Sequence, residues 1–161
     1  MKKKTHIIKD RAGFTLIEMF VAMAILAIVA GFAIPAFSMW LPNYRLKSAA
    51  REVFSNMQLA KLEAVKTNSL CAVTVSTTGN TYSLPSKTVS LDDYGSGVKF
   101  EGPSSGDTTD SPFTFNSRGM TKEMTDQHVY LTNAKNSAYF RITVTGIGNI
   151  TINKWNGSTW E

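Results

Sequence analysis

The sequence predicts an α+β protein. A long N-terminal helix, half membrane segment and half amphipathic stem, leads into a small antiparallel β-rich head. Three observations carry this reading. The run Phe14 to Ile34 (FTLIEMFVAMAILAIVAGFAI) is an apolar stretch whose only charge is Glu18. From Leu46 onward the apolar residues Leu46, Ala49, Ala50, Val53, Met57, Ala60 and Ala64 recur at three-to-four spacing, which marks one stripe of a helix. Beyond Leu70 the period falls to two, as in half-buried strands.

The elements follow in order. Residues 1–13 form a basic leader: Lys2, Lys3, Lys4, Lys9 and Arg11 stand against Asp10 alone. The chain carries a formal charge of +5, and without the leader it would carry +1. The basicity therefore belongs to the leader and gives the body no nucleic-acid footprint. It fits the rule that Lys and Arg stay on the cytoplasmic side of a membrane segment.

Residues 14–37 read as the membrane half of the helix, since about 20 apolar residues span the hydrocarbon core. A cleaved secretory signal fits poorly, because its apolar centre runs about 7–15 residues. The stretch after this run, PAFSMWLP, is also a poor cleavage site. A plain anchor explains the length but not Glu18, because an ionised carboxylate in lipid costs about 2–3 kcal/mol even on lenient scales.

Residues 38–68 continue as the stem. Arg45, Lys47, Arg51, Glu52, Lys61, Glu63 and Lys66 fill much of the remainder around the apolar stripe, and Asn68 and Ser69 end the pattern. Pro35 and Pro42 each remove a backbone bond and are expected to kink the helix. Lying seven residues apart, they bend it toward related faces.

Residues 69–161 form the head, with some six to eight strands. LCAVTVS and TYSLP flank the turn Thr78-Gly79-Asn80, a hairpin signal. GVKFEG, PFTFNSRG, HVYLTN, SAYFRITVT and GNITINKW follow. The polar loop EGPSSGDTTDSP at 101–112 is expected to be the most mobile piece.

A short basic leader, Gly13, then FTLIE and an apolar helix resemble the prepilin-type signal of type IV pilins and pseudopilins, with Pro35 at that family's usual place. The resemblance implies a cut after Gly13 by a prepilin peptidase on the cytoplasmic face, followed by methylation of the new N-terminus, Phe14. It also implies a use for Glu18: in the filament this carboxylate meets the N-terminal amine of a neighbouring subunit, so each costly charge gains a partner.

The rest of the chain resembles the H-type pseudopilin and FimT/FimU minor-pilin branch, the GspH/FimT family. Ala60, Glu63 and Ala64 match its A-x-x-E-A stretch, FTFNSRGM its F-x-x-x-G turn, and FRITVTGIGNITI its closing hairpin. The implied fold is pilin-like, with the stem packed on a two-sheet head. The implied protein is a structural minor subunit of a type II secretion pseudopilus, or alternatively of a type IV pilus tip and priming complex. Its partners would be other pseudopilins or minor pilins, the prepilin peptidase and the inner-membrane assembly platform. It would sit in the bacterial inner membrane as a single-pass protein, leader cytoplasmic and head periplasmic, before joining a periplasm-spanning filament.

No catalytic constellation stands out, so no enzyme and no cofactor are expected. His6 and His128 make no metal pair. Asp92, Asp93 and Glu101 straddle YGSGVKF without the spacing of a calcium loop and read as solvated turns. Cys71 is the sole cysteine, which rules out an intrachain disulfide, and LCAVTV reads as its buried setting. Some FimT-like minor pilins bind DNA through a G-R-x-R motif near the last hairpin. Here TGIGNITI puts Ile147 or Gly148 and Asn149 where the arginines would stand. Arg118, Lys122, Lys135, Arg141 and Lys154 are scattered, so nucleic acid is not expected as a partner. Trp155 and Trp160 read as sealing the sheet or touching a neighbouring subunit.

Overall fold

The computed structural model describes residues 13–95, 97–133, 135 and 137–161 and, within the first helix, the side chains of all but residues 34–36 and 39. The leader as far as Ala12, with its basic residues and His6, lies outside the described residues. Helix α1 runs Leu16–Thr67 as one element and includes both Pro35 and Pro42. The described chain divides into two compact units, the first ending at Ser38 and the second running Met39–Glu161.

In the first unit, Leu16–Ala33 has a mean hydropathy of 2.4 and buries none of its residues. Among the described residues this is the one helix long and apolar enough to cross a membrane.

The second unit is the head. Its part of α1 carries the apolar stripe, and all seven stripe residues, Leu46 to Ala64, are 0 % exposed. The stripe alternates large and small. Leu46, Val53 and Met57 fill space, each worth about 1.5–3 kcal/mol when buried. Ala49, Ala50, Ala60 and Ala64 are sealed with them. α1 ends where the pattern ends. Asn68 takes φ 49, the N–H of Ser69 donates to the carbonyl of Ala64 at 3.1 Å, and that of Asn68 to Val65 at 3.4 Å. This pair of bonds is the Schellman cap, with asparagine tolerating the left-handed position.

Among the described residues, seven strands form two antiparallel sheets. The first contains β1 (Cys71–Ser76), β2 (Thr81–Leu84), β3 (Lys87–Ser90) and β4 (Phe113–Phe115), in the order β3-β2-β1-β4. The second contains β5 (Gln127–Thr132), β6 (Tyr139–Val144) and β7 (Ile150–Lys154), in that order. β1 alternates cleanly: Cys71, Val73 and Val75 point inward. Phe113 and Phe115 of β4, Val129 and Leu131 of β5, and Ile142 and Val144 of β6 meet the stripe in one core.

One expected strand is absent and one strand is not foreseen in the sequence. GVKFEG contributes one bridge, Lys99 to Thr132, and no named strand. Instead KTVS pairs with β2 as β3, from Thr81↔Ser90 to Leu84↔Lys87. The sequence KTVS is short and polar, so its strand character comes from pairing across the Pro85-Ser86 turn more than from propensity.

The loop 101–112 is tied down along the outer edge of β5. The His128 N–H donates to Asp110 Oδ2 at 2.7 Å and the Tyr130 N–H to Thr109 Oγ1 at 3.2 Å. Asp110 N–H returns a bond to the His128 carbonyl at 2.9 Å. Polar side chains here replace the missing strand partner, which shields an edge from further pairing.

One buried polar pair joins stem to sheet: Asn56 Nδ2 donates to the Tyr82 hydroxyl at 2.5 Å. Burial raises the Tyr82 pKa to about 12 and outweighs the opposing effect of the Asn56 hydrogen bond; the charge of Glu52 adds to the rise. Because the folded value lies above the ordinary tyrosine value near 10, the neutral phenol's contribution to stability is complete below pH 10. It is then lost as pH rises toward 12. Denaturant titrations of the head should show the midpoint falling across this window, and Tyr82→Phe should flatten that fall while lowering stability at neutral pH, where Asn56 loses its partner.

Candidate processing and assembly site

The N-terminal residues that the sequence singles out lie together ahead of and within the first turn of α1. Gly13 and Phe14 precede the helix in irregular backbone, and both are exposed. Among the described residues, a Cβ on Gly13 would meet nothing within 4 Å. Glu18 bonds locally: its Oε2 accepts the Thr15 N–H at 3.4 Å, and Thr15 Oγ1 accepts the Glu18 N–H at 3.3 Å. This reciprocal arrangement is a capping box, which satisfies two orphan donors at the helix start. The Thr15-x-x-Glu18 spacing is its sequence signal, and it gives the carboxylate a second role that the charge argument alone missed. Pro42 sits half-buried inside α1.

A second cluster gathers the motifs of the head. Gly119 ends the turn after β4, where Asn116 Oδ1 accepts the N–H groups of Arg118 and Met120 at 2.9 and 3.2 Å. Gly148 closes the β6–β7 turn at φ 82. The two turns touch backbone to backbone: a Cβ on Gly148 would lie 1.8 Å from the Gly119 carbonyl oxygen. Lys61, in the A-x-x-E-A stretch, donates from Nζ to the Gly148 carbonyl at 2.7 Å. Stem motif, F-x-x-x-G turn and closing hairpin thus converge on one corner.

The remaining candidates stay apart or are occupied. His128 Nδ1 lies 3.1 Å from the hydroxyl of Thr143. Asp92 accepts from Asn80 Nδ2 at 2.8 Å, while Glu101 pairs with Lys99. Among the described residues, no group of three or more His, Cys, Asp or Glu is placed to hold a metal ion. Cys71 is buried, and burial, then the nearby charge of Glu63, raises its thiol pKa. On the outer face of the second sheet Tyr130, Trp160 and Trp155 form a ring cluster, with Tyr130–Trp160 and Trp155–Trp160 centroids 5.7 and 5.1 Å apart. The Arg141 guanidinium stacks 4.7 Å from the Trp160 ring centre. The two tryptophans therefore seal this sheet face. Arg118, Lys122, Lys135 and Lys154 are exposed.

A long N-terminal helix with an apolar first part, and a stem that shares one core with two antiparallel sheets, define a pilin-like fold. The chain belongs to the GspH family: the model of the type II transport protein GspH matches residues 49–148. The prokaryotic N-terminal methylation motif matches residues 8–34, which with the apolar helix marks a single membrane anchor. Two crystal forms of the type IV minor pilin FimU from Pseudomonas aeruginosa share the fold. One aligns at 17 % identity and TM-score 0.57, covering 76 % of this chain and 96 % of that one. The other aligns at 16 % and 0.54, covering 71 % and 96 %. No curated protein matches the chain.

The corner formed by Gly119 and Gly148 makes a sharp prediction. Gly148→Ala adds a Cβ at a positive φ and drives it into a neighbouring backbone, a combined cost of about 2–4 kcal/mol. The melting temperature of the head should fall by roughly 5–15 °C, whereas Gly106→Ala, with open space around it, should leave it unchanged.

Proposed function

We propose that this protein is a structural minor subunit, a pseudopilin, of a type II secretion pseudopilus. It is held in the bacterial inner membrane with the head in the periplasm and is drawn from there into a periplasm-spanning filament. The observation that carries this reading is the joint match, on one chain, of the methylation motif over residues 8–34 and GspH over residues 49–148. The role is mechanical. A prepilin peptidase removes residues 1–13 and methylates Phe14. The assembly platform then extracts the chain, apolar helices bundle, and heads make lateral contacts with other pseudopilins. Kinks at Pro35 and Pro42 adapt the helix to that bundle.

In this reading Glu18 exchanges its capping partner for the amine on Phe14 of a neighbouring subunit. Both charges then leave lipid together, which is the condition under which such groups are tolerated there. The fold likeness to FimU, named as a type IV minor pilin, supports a second reading, a subunit of a type IV pilus tip or priming complex. Deleting the gene separates the two. Lost export of folded exoproteins with normal pili supports the pseudopilus, and the converse supports the pilus tip.

Processing is checked by intact mass. The membrane-extracted chain should begin at methylated Phe14, and an uncut chain in cells with active peptidase contradicts the proposal. Glu18→Ala removes a charge from the apolar segment and should insert and be cleaved normally. It leaves a neighbouring amine unpartnered, and breaking one side of a buried pair costs about 3–5 kcal/mol. Cross-linking between cysteines introduced on the stem should therefore drop severely in Glu18→Ala. Equal yields with the unaltered chain would remove Glu18 from assembly.

A further inference from the structure

β7 is an edge strand with most of its outer side unused. It pairs with β6 from Val144↔Ile150 to Phe140↔Lys154. The Lys154 N–H donates outward to the Glu161 carbonyl at 2.6 Å, and the Glu161 N–H returns to Lys154 at 2.9 Å. The Trp155 N–H instead donates to Tyr139, on the β6 side, at 3.0 Å. Alternate residues face opposite sides of a strand ladder, so Ile150 and Ile152 turn their N–H and C=O groups outward as Lys154 does. Among the described residues, none hydrogen-bonds to those outward groups. β5, the other edge of this sheet, is covered by Thr109 and Asp110.

The edge opens onto the flank of α1. Asn43 and Lys47 line an opening of about 830 Å³ with Lys154 and Trp155. Farther along, Gln58, Lys61 and Leu62 line one of about 310 Å³ with Gly148, Asn149 and Ile150. Lys47, Lys61 and Lys154 stand along these openings, and among the described residues no Asp or Glu lines either of them. Glu161, which borders Lys154, has its carboxylate held by Asn156.

We propose that the free edge of β7 takes up an extended, acidic segment of a neighbouring pilin-like subunit by strand addition. Main-chain bonds to Ile150 and Ile152 supply the pairing, and carboxylates of the incoming segment sit over Lys47, Lys61 and Lys154. The chain's own residues Trp160 and Glu161 already add to the same edge in this manner, as a bridge to Trp155 and the pair of bonds to Lys154. The inference rests on the reading of the protein as a filament subunit.

The test uses the full chain in its own membrane with the other filament subunits present. Ile152→Pro deletes an outward N–H and leaves the β6 ladder intact; Ile152→Val is its control. Cross-linked complexes should fall about fivefold in Ile152→Pro, the equivalent of one net backbone hydrogen bond, and stay level in Ile152→Val. The double charge reversal Lys47→Glu/Lys154→Glu, at exposed positions, should reduce them at least as much, and this variant decides the matter if circular dichroism shows Ile152→Pro to be misfolded. Amide exchange at Ile152 should slow at least about tenfold on assembly. Unchanged complexes in the folded variants, or unchanged exchange, overturns the strand addition while leaving the subunit reading in place. Failure of the unaltered chain to enter any complex overturns both. Capture of a short DNA duplex that is lost on charge reversal and indifferent to Ile152→Pro would assign the groove to nucleic acid and overturn the proposal.

Discussion

Burial of one stripe of α1 is the constraint on which the head depends. The first sheet and the second share no ladder among the described residues. Their inward side chains, Phe113, Phe115, Leu131 and Ile142 among them, share one buried core with the line from Leu46 to Ala64. A chain of this size gains little from either sheet alone, since a sheet with one face exposed to water needs a partner layer. The helix is that layer. Its flanks then take different duties: Asn56 and Glu52 reach Tyr82 and Lys87 of the first sheet, and Lys61 reaches the β6–β7 turn.

This division explains why the head motifs of the sequence are spread so widely along the chain yet meet in space. Lys61 and Gly148 are 87 positions apart and hydrogen-bonded. Gly119 sits between them because the turn after β4 must pass under the closing hairpin, and only a residue without a Cβ permits the approach seen at Gly148. The family's short motifs are in this sense contact points of one corner.

Much of this was legible in the residues themselves. The stripe was readable because periodicity and burial are the same fact seen twice, and Asn68 marked the helix end for a steric reason. The hairpin signal at Thr78-Gly79-Asn80 held, with Asn80 at φ 51. What escaped were features without a local signature. KTVS is a strand because β2 lies beside it, and GVKFEG is mostly not one because it meets β5 only through the single bridge from Lys99 to Thr132. The Asn56–Tyr82 pair joins residues that nothing in the sequence relates. At the N-terminus the opposite holds: the Thr15-x-x-Glu18 spacing is itself the local signature of the bonds that Glu18 makes. The free edge of β7 was invisible, because which strands end a sheet is a property of topology.

The sole cysteine has a practical bearing on how such a chain is studied. Cys71 lies inside β1 against Phe115, nearly sealed from solvent, with its thiolate disfavoured by burial and by Glu63. Alkylating reagents act on exposed thiolate, so this sulfur is a silent background. A single cysteine placed anywhere on the surface becomes the one reactive handle, for a spin label, a fluorophore or a surface tether. The native residue can stay in place, and the core keeps the packing on which everything else rests.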